Sequence, residues 1–147
     1  MSLDAPLAAA SATAPVTAPV TAPVTAPVTA PSGDEMCSYA LDVWTDHPTV
    51  LADAVAMVAV LREAAAAGGA VVLGEAAHVF PNGAVTMSLV LSQSHLAVHT
   101  WPEHDLANVD LLTCGVLEGE AIVAAVARGL HARRTRVTRT MRPVTAE

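Results

Sequence analysis

Between Leu91 and Gly115 the chain reads LSQSHLAVHTWPEHDLANVDLLTCG, setting Ser94, His95, His99, a carboxylate pair and Cys114 in one short β-like segment. Ser94 makes a poor hydrolase nucleophile. No G-x-S-x-G elbow surrounds it, and no strand-turn-helix context follows. His95 and His99 are an even number of residues apart and so share one face of a strand, where Cys114 could join them on zinc. Spacings such as C-x-x-C are absent and only one thiol is near, so no metal site is expected. His95 alone reads as a partly buried strand residue with a satisfied ring nitrogen.

Composition narrows the chemistry further. The chain has no lysine, so it can form neither an internal Schiff base with pyridoxal phosphate nor a lysine imine with a carbonyl substrate. Any carbonyl electrophile must come from elsewhere. A formal net charge of −7 argues against nucleic-acid or membrane-surface partners. Six of the seven arginines fall between Arg128 and Arg142, without interleaved aromatics, and read as the solvated face of an edge strand. Aromatics make up only 3% of the chain, so the core must be built from small aliphatic side chains. Cys37 and Cys114 are too few for a disulfide framework. No basic segment precedes an apolar one and no run of about 18 apolar residues occurs, which predicts a soluble cytoplasmic protein with free thiols.

The elements that must position these residues follow from periodicity. Residues 1–33 contain PVTAPVTAPVTAPVTA, where proline at every fourth position forbids helix and favours extended chain; the segment reads as a disordered tail. The ordered domain is expected over 34–147. Strands are predicted over 37–45, 70–80, 84–93, 94–101, 107–115 and 133–142, with PNG (81–83) as a hairpin turn. Helices are predicted from Thr49 to Ala67, started by Pro48 and ended by Gly68-Gly69, and from Glu118 to about His131. The order β-α-β-β-β-β-α-β, with antiparallel hairpins in the middle, predicts an α+β two-layer sandwich with helices on one face.

SQSHLAVHTWPE…VDLLTCG resembles the segment E-S-H-L-x-I-H-T-W-P-E…V-D-x-F-T-C-G of prokaryotic S-adenosylmethionine decarboxylase proenzymes. The resemblance extends upstream through HVFPNGAVTMSLVLSQ and more loosely from Tyr39 to about Arg142, excluding the tail. It implies an enzyme that cuts its own backbone between Gln93 and Ser94, leaving a β chain of 1–93 and an α chain of 94–147. Ser94 would become a covalent pyruvoyl group, the electrophile that a lysine-free chain lacks. By the same resemblance, Thr86 would stabilise the oxyanion of self-cleavage and His99 would remove the Ser94 α-proton. An imine between the substrate amine and the pyruvoyl carbonyl would accept the electron pair as CO₂ leaves, and Cys114 would donate the replacing proton. Phe80 is implied to stack on adenine and Glu103 to bind the ribose hydroxyls. The product would be the aminopropyl donor for spermidine and other polyamines. The resemblance also implies a homodimer of αβ protomers whose sheets share active sites.

Several positions depart from the family pattern. Gln93 replaces a glutamate, Thr86 a serine, and HDLAN (104–108) the common Y-G-Y-A-A, which removes two tyrosines near the implied pocket. Two further readings share these residues: a pyruvoyl decarboxylase acting on ornithine or arginine, and an uncleaved paralogue serving as a binding or regulatory subunit.

Overall fold

Alternation of small apolar and polar side chains decides which face of each strand is buried, and here it buries one face of the four central strands of a single sheet. The computed structural model describes residues 35–144, so the repeat tail lies outside the described residues. Six strands, β1 (Glu35–Thr45), β2 (Val72–Val79), β3 (Val85–Leu91), β4 (Ser94–Trp101), β5 (Leu106–Cys114) and β6 (Ala132–Pro143), pair antiparallel in the order β2-β3-β4-β5-β1-β6. Helices α1 (Ala54–Ala67) and α2 (Gly119–Gly129) complete the expected α+β sandwich. In β4, Leu96, Val98 and Thr100 are buried while His95, His99 and Trp101 are exposed. The core consists of the buried strand side chains with Met57, Leu61, Ala64 and Ala65 of α1 and Ile122, Val126 and Leu130 in and after α2.

Aliphatic side chains of modest size let the helices lie close. A Cβ on Gly119 would stand 2.5 Å from the Tyr39 ring, so this position at the head of α2 takes glycine. The helix expected from Thr49 is in two pieces. Pro48–Ala52 forms a 3-10 turn, and the Asp53 carboxylate then caps α1 by accepting from the amides of Val55 at 2.9 Å and Ala56 at 3.0 Å. The cap satisfies amides that have no partner within the helix, which is why α1 starts there.

Tyr39, the only tyrosine, is buried at the β1–α2 contact. Burial, then a hydrogen bond with the Cys37 thiol and the nearby Glu120 carboxylate, push its phenol up to about 12 against the opposing effect of Arg139. The folded state thus holds this proton more tightly than the unfolded chain does. The associated stability is complete below the unfolded value of 10.0 and is lost as pH rises toward 12. Titration of the tyrosinate ultraviolet band should show no step at pH 10 in native protein and one there in denaturant.

Candidate active site

β3 and β4 are joined by the two-residue loop Ser92-Gln93, so Leu91 pairs with Ser94 at the tip of the hairpin. The loop is under visible stress. Ser94 has φ +130°, a region that L-residues avoid at a cost of roughly 1–3 kcal/mol. The Gln93 side-chain oxygen is buried and has no hydrogen-bond partner among the described residues. Cys114, at the end of the neighbouring β5, donates from Sγ to the Gln93 carbonyl oxygen at 3.3 Å. Ser94 itself lies opposite Thr113 in the β4–β5 ladder. One end of the sheet therefore gathers Gln93, Ser94 and Cys114, with a thiol on the carbonyl that precedes the serine.

A second group forms at the other end of the same hairpin. Thr86 pairs with His99, and Thr86 Oγ1 lies 2.9 Å from His99 Nδ1. Both line a cavity of about 270 Å³ together with Phe80, Asn82, Ala84, Thr100 and Trp101. Phe80 and Trp101 are each 44% exposed there, and the Phe80 ring meets His78 edge-on at 4.7 Å. Phe80 is held by the PNG turn: its amide donates to the Ala84 carbonyl, and Gly83, at φ +85°, donates to the Phe80 carbonyl. Thr100 is buried, accepts from the Val85 amide and donates to the Leu51 carbonyl, both at 2.7 Å. It ties β4 to β3 and to the 3-10 turn behind them, and so fixes the residues on either side, His99 and Trp101. Nothing in the sequence reading marked this role.

Five ladder steps separate the Leu91–Ser94 pair from the Thr86–His99 pair. At the rise of a strand this is about 17 Å. The serine and thiol expected to act with His99 are thus grouped with each other but not with His99 or Thr86. Glu103 is exposed in the 3-10 turn Pro102–His104 and is not among the residues lining the cavity. The helices cover only the opposite face of the sheet, so His99, Trp101, Thr86 and Cys114 all stand on an uncovered face.

On that face a hydrogen-bonded row crosses four strands' worth of sheet. Trp101 Nε1 donates to Asn108 Oδ1 at 2.8 Å, Asn108 Nδ2 donates to Asp42 Oδ1 at 2.8 Å, and Arg136 Nε donates to Asp42 Oδ2 at 2.7 Å. Sequence reading missed these partners because each lies on a different strand.

The chain is similar to known proteins. A family model described as S-adenosylmethionine decarboxylase matches residues 38–143. The S-adenosylmethionine decarboxylase proenzyme of Pyrobaculum arsenaticum is 42% identical over 67 residues, 45% of this chain and 54% of that protein. The proenzyme of the same name from Pseudomonas aeruginosa is 41% identical over 75 residues, 50% of this chain and 47% of its own. The chain spans about half the length of the curated relatives it matches. The crystal structure of the adenosylmethionine decarboxylase from Aquifex aeolicus shares the fold, with a TM-score of 0.68 and 23% identity over 76% of this chain and 93% of that one.

Proposed function

Because the chain belongs to the S-adenosylmethionine decarboxylase family, we propose that it is a self-cleaving, pyruvoyl-dependent enzyme that decarboxylates S-adenosylmethionine. The observation that carries this reading is the hairpin tip: a strained serine whose preceding carbonyl is already hydrogen-bonded by a thiol.

Cleavage starts with Ser94 Oγ attacking the Gln93 carbonyl carbon. Negative charge then develops on the Gln93 oxygen, where the Cys114 thiol is a donor in place. The acyl group moves to Oγ, the C–N bond breaks, and the serine nitrogen takes up a proton. Loss of the Ser94 α-proton to a base expels the Gln93 carboxylate, and hydrolysis of the resulting enamine releases ammonia and leaves a ketone. Strain at φ +130° favours the chain that has been cut.

The base and the second oxyanion donor are His99 and Thr86. If Nδ1–H of His99 donates to Thr86 Oγ1, the Nε2 lone pair is free to take a proton and the Thr86 hydroxyl is free to donate one. One imidazole orientation then serves both tasks. About 17 Å within a chain prevents this pair from reaching its own Ser94. A second copy related by a two-fold axis removes the difficulty, since each hairpin tip then meets the other copy's Thr86 and His99. The uncovered sheet face is the surface on which such sheets stack. The functional unit is therefore a homodimer of αβ protomers, with chains 1–93 and 94–147 in a domain spanning 34–147.

The residues fit the pyruvoyl group as well as its formation. Once formed, the group supplies the carbonyl electron sink for loss of CO₂. Cys114, beside the Gln93–Ser94 junction, holds the proton that replaces CO₂ on the substrate carbon. Phe80 and Trp101 offer ring faces to a planar base and to a sulfonium cation. Glu103 stands exposed in the 3-10 turn that follows β4, outside the cavity lining, with a carboxylate suited to the ribose hydroxyls. No helix among the described residues is long and apolar enough to cross a membrane. We place the protein in the cytoplasm, with a small molecule and its own second copy as partners.

Intact mass of the purified protein tests the reading together with CO₂ release. Two fragments meeting at Gln93–Ser94, and CO₂ from S-adenosylmethionine but not from ornithine or arginine, are the expected results. Active protein with an uncut chain would defeat it.

A further inference from the structure

We propose that Asn108, oriented by Asp42 and Arg136, is a positioning residue that holds the Trp101 indole as a fixed wall of the substrate cavity. The inference rests on the decarboxylase reading for its substrate and on hydrogen-bond geometry for its mechanism.

The direction of each bond in the row is dictated by chemistry. An indole N–H and a guanidinium only donate, and a carboxylate only accepts. Asn108 can therefore face Trp101 only with its oxygen and Asp42 only with its nitrogen, as the contacts at 2.8 Å have it. Asp42 in turn is 20% exposed and gripped by Arg136 through Nε and a terminal nitrogen, at 2.7 and 2.6 Å. Arg136 is 71% exposed, so this ion pair contributes little stability by itself. Its consequence is orientational. The guanidinium sets the carboxylate, the carboxylate sets the amide, and the amide sets the indole.

The indole needs that support. Trp101 is 44% exposed at the end of β4, just before the 3-10 turn, and its ring lines the cavity with Thr86 and His99. Without an acceptor for Nε1 the ring is free to leave the cavity wall. A wall that is already in place spares the substrate the entropy of ordering it. Asn108 is also the last position of HDLAN, where the pattern this chain resembles has alanine. The stretch that departs most from the pattern is where this chain builds its own brace.

The test uses full-length protein carrying W44F, which leaves Trp101 as the sole tryptophan. Fluorescence anisotropy of Trp101 is measured without ligand, and KM and kcat are measured with S-adenosylmethionine. N108L removes both bonds, and N108D turns a second carboxylate on Asp42. Each should increase indole mobility and raise KM about tenfold while kcat changes by less than about twofold, the pattern of lost ground-state binding. In D42N/N108D the new carboxylate at 108 accepts from Trp101 and from the new amide at 42, whose oxygen accepts from Arg136. Every bond is restored with the net charge unchanged, so anisotropy and KM should return to within about threefold of the parent. Unchanged anisotropy in N108L, or a double variant no better than N108D, would overturn the brace. If the parent fails to turn over S-adenosylmethionine, the substrate reading falls, and the anisotropy series still decides whether Asn108 fixes the indole.

Discussion

Protein carrying Ser94→Ala is expected to run as one uncut species of 15.0 kDa and to release no CO₂ above background. On the proposed mechanism the variant lacks the oxygen that attacks Gln93, and without the cut there is no ketone to accept electrons. Loss of the sink should lower the rate by a factor on the order of 10⁶ or more, the lower range of enzymatic acceleration. The fold should survive, since Ser94 is only half-buried and alanine removes a single atom. Cys114→Ala separates the two uses proposed for the thiol. Its contact at 3.3 Å with the Gln93 carbonyl predicts cleavage slowed about tenfold, while loss of the acid lowers turnover about 100-fold once cleavage is complete. Intact mass over time reads the first effect and CO₂ release the second. A Ser94→Ala protein with full activity would end the mechanism.

Two dead variants should make a live enzyme. Ser94→Ala keeps Thr86 and His99, and His99→Ala keeps Ser94 and Cys114. If each site draws its hairpin tip from one copy and its cavity from the other, a mixed dimer has one site with every residue intact. Random pairing of equal amounts gives half mixed dimers, each with one of two sites working, or about a quarter of wild-type activity. Each variant alone should be inactive. Co-expression from one plasmid followed by a CO₂ assay measures the outcome, and intact mass should show that only the His99→Ala chain is cut. No activity in the mixture would mean that Ser94 and His99 act within one chain, against their separation of five ladder steps.

Much of the fold was legible because strand and helix periods were clean. The order of eight elements stands as read, with boundaries shifted by a residue or two except at the first helix, which starts five residues later than expected. The division of the first helix was missed, although Asp53 just before an apolar run is a capping signal. The candidate site was legible in the sequence only as a set of residues, and its geometry was not. Grouping Ser94, His99 and Cys114 assumed that neighbours in a motif are neighbours in space. The signal against it was present: Thr86 lies five residues before Leu91 and His99 five after Ser94, so a two-residue hairpin must pair them far from its tip. The Trp101–Asn108–Asp42–Arg136 row could not be read at all. It depends on β1 lying between β5 and β6, an order that no local pattern specifies.

That strand order also governs what the proposed cut would do. The fragment 1–93 owns β1, β2 and β3, and the fragment 94–147 owns β4, β5 and β6. β1 nevertheless threads between β5 and β6, and β3 stays zipped to β4, so three of the sheet's five ladders join the two pieces. A nick between Gln93 and Ser94 would therefore liberate nothing. The halves would stay interlocked like clasped fingers, and prising them apart would mean breaking three of the five ladders.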